Sequence, residues 1–117
     1  MSNTYDNELE YKRYWLMVGL HPTMLPAIRE AFYQDNETWL LRWAKDCTNG
    51  VKADDVAGTT VNSKEIVVQY KLRSINASSI VWLLHHGVLP PNGCVKYKDG
   101  NPRNLHIDNL FLTPSAT

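Results

Sequence analysis

Residues 80–113 constrain the fold of this chain most strongly, because turn residues divide them into one helix and one hairpin. The apolar run at 80–86 predicts a helix, and Gly87 is a typical residue at the end of one. A Pro-Pro-Asn-Gly turn leads into a predicted strand at 94–98, and an Asp-Gly turn leads toward a closing strand at 110–112. We therefore expect a helix followed by a two-stranded antiparallel hairpin.

The first third of the chain has the spacing of apolar residues that is typical of helices. We expect one helix to end near Gly19 and a second to begin after His21-Pro22, since Pro26 is tolerated in a first helical turn. Further strands are predicted at residues 39–43, 66–70 and 71–75. The expected fold class is α+β, with N-terminal helices, a small β-sheet, one helix and the hairpin.

Length and composition are those of a small globular protein. The chain has 117 residues, of which 44% are hydrophobic and 21% are charged, as is ordinary for a folded domain. No apolar run approaches the roughly 18 residues of a membrane span, and residues 1–20 do not resemble a signal peptide. Cys47 and Cys94 lack a CxxC partner and are expected to be reduced thiols. We therefore expect a cytoplasmic protein with no membrane contact.

The net charge is zero, but the charges are unevenly distributed. Residues 1–40 hold three basic and six acidic side chains, whereas residues 41–117 hold nine basic and six acidic ones. An acidic front and a mildly basic back fit an interaction arm attached to a nucleic-acid-related module. Ordinary scatter in a neutral protein explains the same distribution equally well.

Aromatic residues are frequent in the predicted N-terminal helix. They are interpreted chiefly as core residues, because an amphipathic helix buries its apolar side. The alternative is a partner-binding stripe, and its candidate residues are Tyr11, Trp15 and Met17.

Two sets of motif residues occur in a fixed order along the chain, one in the C-terminal hairpin and one upstream of it. The hairpin set comprises Val95, Asp99-Gly100-Asn101-Pro102, Asn104 and Ile107-Asp108-Asn109-Leu110. The upstream set comprises Phe32, Asp35, Thr38, Leu41, Trp43, Ala57-Gly58 and the Ala-Ser-Ser-Ile-Val-Trp run at 77–82. In this order the two sets resemble small phage HNH homing-type endonucleases, over residues 32–113.

The resemblance implies a domain organisation and a set of structural residues. Residues 32–113 would form an HNH-endonuclease-like domain with a remnant ββα-type (HNH-like) hairpin, after a helical N-terminal arm at 1–31 and before a loose tail at 114–117. In the family the hairpin works with one divalent metal ion and a neutral His that takes a proton from the attacking water. The residues with a structural role would be Asp99, Gly100, Asn104 and Asn109.

The chain departs from the family pattern at the residues that carry the chemistry. Lys96 stands at the position of the metal-binding Asp, and an ammonium group has no lone pair to offer a metal ion. Tyr97 stands at the position of the His, and a phenol with a pKa near 10 is a poor base at neutral pH. Upstream, Trp39 stands where the pattern has Gly. A final helix with the last metal ligand would fall beyond Thr117, so we expect a degenerate member of the family.

The histidines do not suggest a replacement for the missing metal ligands. His85-His86 are adjacent, and their side chains would diverge by about 100° on a helix. His21 and His106 are isolated in the sequence. We interpret all four as surface or packing residues and expect no metal, no other cofactor and no catalytic residue.

The first functional hypothesis is DNA binding without cleavage, because phosphate contacts require only cations and hydrogen-bond donors. Its candidate residues are Lys96, Lys98, Arg103, Lys71 and Arg73. The alternative is a protein inhibitor of a host anti-phage defence enzyme, such as a CRISPR or restriction component, built on the same scaffold. A residual metal-dependent DNA endonuclease is the third hypothesis. The sequence leaves open the choice between DNA and protein as the partner, the target and the oligomeric state.

Overall fold

The computed structural model describes residues 4–46, 50–60, 65–70 and 73–113, with side chains from Glu10 onward. Four sequence-based expectations lie outside these residues. They concern the thiol of Cys47, the cation of Lys71, the first part of the strand at 71–75 and the tail at 114–117.

The described residues form three α-helices and seven short strands, which confirms the α+β fold class. The helices are α1 (Thr4–Met17), α2 (Leu25–Ala31) and α3 (Ala77–His86), and a 3-10 turn at Pro22–Met24 precedes α2. The strands are β1 (Phe32–Gln34), β2 (Leu41–Trp43), β3 (Thr59–Thr60), β4 (Ile66–Tyr70), β5 (Arg73–Asn76), β6 (Val95–Tyr97) and β7 (Leu110–Leu112).

The strands pair into three small antiparallel sheets rather than one. β1 pairs with β2, β3–β4–β5 form a three-stranded sheet in that order, and β6 pairs with β7. Each sheet is built mainly from neighbouring strands of the chain, as short connecting turns favour. None of the helices among the described residues is long and apolar enough to cross a membrane.

The turn between β1 and β2 depends on Asp35. Its Oδ1 accepts a hydrogen bond from the Glu37 backbone N–H (2.7 Å), and its Oδ2 accepts one from Arg42 Nε (2.8 Å). These bonds, the first one most strongly, lower the pKa of Asp35 from 3.8 to about 2. An ionised carboxylate therefore fixes this turn at neutral pH.

The strand predicted at 94–98 is shorter by one residue at each end, and two larger differences in predicted boundaries have an explanation in the backbone. The strand predicted at 39–43 begins only at Leu41, because Trp39 adopts a left-handed backbone conformation with φ of 62° that interrupts an extended strand. The helix predicted at 80–86 already begins at Ala77, directly after the extended Asn76. Its predicted end at Gly87 is confirmed, since Gly87 has φ of 80° and its N–H donates to Leu83 O.

The hydrophobic core joins all three helices to the sheets. Trp15 from α1 is 3% exposed, and its indole N–H donates a hydrogen bond of 2.9 Å to Leu89 O. Tyr11 is buried as well, whereas Met17 is 86% exposed. Of the three residues of the expected partner-binding stripe, Tyr11 and Trp15 are thus covered by the core, and Met17 is the one that is accessible to a partner.

Candidate nucleic-acid interface

The hairpin of β6 and β7 has one buried and one exposed face. Its register pairs Val95 with Leu112, Lys96 with Phe111 and Tyr97 with Leu110. Val95 and Leu110 are buried, whereas Lys96 and Phe111 are exposed. Alternation along the strands therefore separates Lys96 from Tyr97 and turns only Lys96 toward solvent.

A network of side chains around Asp99 holds the loop between the two strands. Asp99 Oδ1 accepts hydrogen bonds from Asn101 N (2.8 Å) and Asn109 Nδ2 (3.0 Å), and its Oδ2 accepts one from Asn104 Nδ2 (3.0 Å). The bond from Asn104 is the largest of the effects that lower the pKa of Asp99. The loop is thus organised around an ionised carboxylate.

Asn109 closes the network from the second strand. Its side-chain N–H groups donate to Asp99 Oδ1 and to Asn104 O, each at 3.0 Å, while its Oδ1 accepts from the Asp99 backbone N–H. Gly100 occupies the turn with φ of 74°, a conformation that glycine adopts without strain. The residues expected to have a structural role in the loop are therefore in contact with each other or adjacent in the chain.

The five candidate cations do not form one group. Lys96, Lys98 and Arg103 belong to the hairpin, and all three are exposed. Arg73 belongs to β5, and its Nε donates a hydrogen bond of 2.6 Å to Gly19 O, close to the end of α1. The structure therefore assigns Arg73 a role in joining β5 to the segment after α1, and Lys71 lies outside the described residues.

The Tyr97 hydroxyl is held inside the protein. It donates a hydrogen bond of 2.7 Å to Glu65 Oε1, which also accepts one of 3.3 Å from Asn76 Nδ2. Burial raises the pKa of Tyr97 well above 10, and the bond to Glu65 acts in the same direction. Sequence reasoning missed Glu65, because no local pattern connects a carboxylate with a tyrosine 32 positions later.

The residues at the expected metal position do not fit a divalent cation. Lys96 offers an ammonium group in solvent, and Tyr97 offers a protonated phenol whose hydrogen is bonded to Glu65. Hard cations require oxygen ligands with free lone pairs. Within the described ranges, no group of three or more His, Cys, Asp or Glu side chains is arranged to hold a metal ion.

His85, His86 and His106 lie near one another, His21 lies at the start of the 3-10 turn before α2, and the side chains have local partners. His85 Nε2 hydrogen-bonds Gln34 Oε1 (2.8 Å), and burial, His86 and His106 lower the pKa of His85. His86 packs on Trp82 with ring centroids 4.3 Å apart. His21 accepts a hydrogen bond from the backbone N–H of Thr23 and caps the 3-10 turn. These contacts are those of packing and capping residues.

A groove beside the hairpin loop contains an aromatic residue that sequence reasoning did not connect with this site. Trp39 lies against His106, with ring centroids 4.2 Å apart and planes at 61°. The groove is lined by Trp39, Asn104, His106, Asp108 and Asn109. One feature of the sequence could have drawn attention to Trp39. It stands at a position where the pattern of the similar endonucleases has Gly.

Comparison with known proteins supports a relationship for the C-terminal part of the chain. Residues 77–117 match a family model described as HNH endonuclease. The matched stretch begins at the first residue of α3 and includes both strands of the hairpin. No curated protein and no solved structure matches the chain. The match supports an HNH-type family for the segment that contains α3 and the hairpin.

Proposed function

We propose that this protein binds DNA through its HNH-like hairpin and does not cleave it. The observation that carries the proposal is the exposed Lys96, which stands where the resembling enzymes have a metal-binding Asp. This exchange replaces a negative charge by a positive one. The surface of such a hairpin attracts a phosphate directly, without a metal ion between protein and DNA.

The other exposed cations of the hairpin support the same interpretation. Lys98 and Arg103 lie in or next to the loop that Asp99 and Asn109 hold together. A preorganised loop loses little conformational entropy when its side chains meet the DNA backbone. Contacts of this kind position a protein on DNA but carry no sequence information.

The environment of Tyr97 supports the absence of cleavage. Hydrolysis of a phosphodiester requires a base that takes a proton from water at neutral pH. Tyr97 has a raised pKa and already donates its proton to Glu65. Its hydroxyl therefore remains protonated and lacks the basicity that a neutral His provides.

Salt-dependent binding to a short fluorescent DNA duplex tests the proposal. If three cations contact phosphates, the affinity falls roughly 40-fold between about 50 and 200 mM salt. The double variant Lys96→Glu/Arg103→Glu reduces the affinity and makes it less salt-dependent. The control Arg29→Glu/Lys52→Glu makes the same change in charge at exposed residues outside the hairpin and binds more tightly than the hairpin variant. Absence of wild-type binding at low salt refutes the proposal.

Incubation of supercoiled plasmid with Mg²⁺ or Mn²⁺ tests the second half of the proposal. Plasmid that remains supercoiled agrees with binding alone. Nicking by the wild-type protein that Lys96→Ala abolishes would instead identify a residual endonuclease.

A second candidate function is inhibition of a host defence enzyme, such as a CRISPR or restriction component, in the cytoplasm of a phage-infected bacterium. It is favoured by three consecutive exposed apolar residues at and directly after the end of α1, namely Leu16, Met17 and Val18. Exposed apolar clusters often mark protein interfaces. A stable complex with a purified defence enzyme that Met17→Glu disrupts would support this function, and DNA binding without such a complex would exclude it.

A further inference from the structure

The backbone of Trp39 is held in a conformation that favours glycine. Its φ of 62° lies in the left-handed region, where a bulky side chain is strained. Its N–H donates to Asp35 O and its carbonyl oxygen accepts from Gln34 Nε2, both at 2.8 Å. These two bonds hold the backbone of Trp39 in this conformation despite the strain, and the indole lies against His106 of the hairpin loop.

Gln34 makes this position rigid. Besides the carbonyl of Trp39, its Nε2 reaches Leu105 O at 2.8 Å, and its Oε1 is bonded to His85 Nε2. One amide thus connects β1, the loop of the hairpin and the end of α3. The indole of Trp39 therefore has a defined position relative to the hairpin before any partner arrives.

The indole is only partly buried, and its surroundings are polar. It borders an open groove of about 460 Å³ whose other walls are Asn104, His106, Asp108 and Asn109. Ligand sites in proteins typically measure about 300–1,000 Å³ and combine apolar surface with a few polar groups. This groove combines one large aromatic ring with several hydrogen-bonding groups.

Two of these groups are available to a ligand. His106 Nδ1 accepts a hydrogen bond of 3.1 Å from the backbone N–H of Asp108, so the neutral ring carries its proton on Nε2. Within the part of the chain that the structure describes, Nε2 has no hydrogen-bond partner. The Asp108 side chain is 90% exposed and offers two acceptor oxygens. The groove therefore presents one donor and one acceptor group next to an aromatic surface.

We propose that Trp39 and His106 form a binding site for an unpaired base of DNA, an inference that rests on the proposed DNA binding. An unpaired base exposes a flat π surface that stacks on indole, and an edge that exchanges hydrogen bonds with imidazole and carboxylate groups. A base inside a duplex is already stacked and paired and does not reach a groove of this kind. The neighbouring Arg103 and Lys98 are suited to the phosphates on either side of the base.

The strain at Trp39 predicts different effects of its replacement on stability and on binding. Trp39→Gly relieves the backbone strain, which offsets part of the packing that is lost with the partly buried indole and its contact with His106, and we expect the melting temperature to change by only a few degrees. The same substitution removes the stacking surface and lowers the affinity for an unpaired base. A residue that merely covered the core would cause a loss of stability when it was removed.

Competition between two DNAs tests the proposal, with a perfect duplex and the same duplex carrying one bulged base. We expect the wild-type protein and Trp39→Phe to prefer the bulged DNA at least fivefold, and Trp39→Leu to lose the preference while keeping duplex binding. Phe and Leu are both strained at the φ of Trp39. A difference in binding between these two variants therefore reports the loss of the aromatic surface and not a change in backbone strain. Trp82→Leu is the matched control and should keep the preference, because Trp82 also contacts a histidine but lies on α3.

The outcomes separate this proposal from the one on which it rests. Failure of the wild-type protein to bind either DNA refutes the proposed function and this inference together. Equal affinity of the wild-type protein for the two DNAs, or a preference that Trp39→Leu retains, overturns the base-binding site and leaves DNA binding intact.

Discussion

The hydroxyl of Tyr97 donates a hydrogen bond of 2.7 Å to Glu65 Oε1 and thereby ties the first strand of the hairpin to the residue before β4. In the nucleases that this hairpin resembles, the position of Tyr97 is that of the His that serves as general base. In this protein the residue at that position has a structural role. The bond directs the side chain into the protein, whereas Lys96 on the same strand is exposed. Stability and the proposed DNA contact are therefore divided between adjacent residues.

Loss of the Tyr97 hydroxyl should destabilise the protein. We expect Tyr97→Phe to lower the free energy of unfolding by about 1–2 kcal/mol, because the half-buried Glu65 carboxylate loses one of its two donors. Urea denaturation measures the change. The double variant Tyr97→Phe/Glu65→Gln should recover part of the loss, since the amide does not leave a charge without its donor. A Tyr97→Phe protein as stable as the wild type would contradict this role.

Asp35 should determine part of the acid denaturation. Its pKa is lowered from 3.8 in the unfolded chain to about 2 in the folded protein, so the unfolded state binds the proton first as the pH falls. The stabilisation is present above pH 3.8 and is lost between about pH 4 and pH 2. We expect Asp35→Asn to flatten the pH dependence of the unfolding free energy in this window. Glu37→Gln, which removes an exposed carboxylate from the same turn, should preserve it.

The hydrogen bond between Trp15 and Leu89 should attach α1 to the rest of the protein, and its removal tests this role. Trp15→Phe removes the indole N–H that donates to Leu89 O and leaves a small cavity, and we expect a loss of about 2–3 kcal/mol in the free energy of unfolding. Met17→Ala, at a side chain that is 86% exposed, should change it by less than about 0.5 kcal/mol. Similar effects of the two substitutions would show that α1 is not docked through Trp15.

Local patterns predicted the elements of this fold much better than its long-range contacts. Gly87 ends α3 where it was expected, and the bounds of β7 are those predicted, because turn and cap residues act on their immediate neighbours. By contrast, Trp15 meets Leu89 across 74 positions and Arg73 meets Gly19 across 54. Such contacts depend on how the elements pack, and hydrophobic periodicity does not contain that information.

The candidate site also contains residues that local patterns predicted and a contact that they did not predict. The loop residues from Asp99 to Asn109 were predictable, because a resembling pattern and short-range turn chemistry indicate the same structure. The position of Trp39 beside His106 was not, since the two residues belong to different loops that packing brings together. The conformation of Trp39 became visible only in the backbone angles.

Asn109 allows a sharp test of the loop network, because its side-chain N–H groups and its oxygen are all used. Asn109→Asp preserves the shape of the side chain but replaces the N–H that donates to Asp99 Oδ1 by an oxygen about 3.0 Å away. Two carboxylates would then meet, and we expect a loss of about 2–3 kcal/mol in the free energy of unfolding at neutral pH. Acidification below the ordinary carboxyl range should restore part of this difference, because a shared proton relieves the repulsion. Asn109→Ala is the control, since it loses the same donors without adding a charge and should show a smaller recovery, limited to the lost bond with the ionised Asp99. Equal dependence on pH in the two variants would mean that Asp99 and Asn109 do not interact in solution.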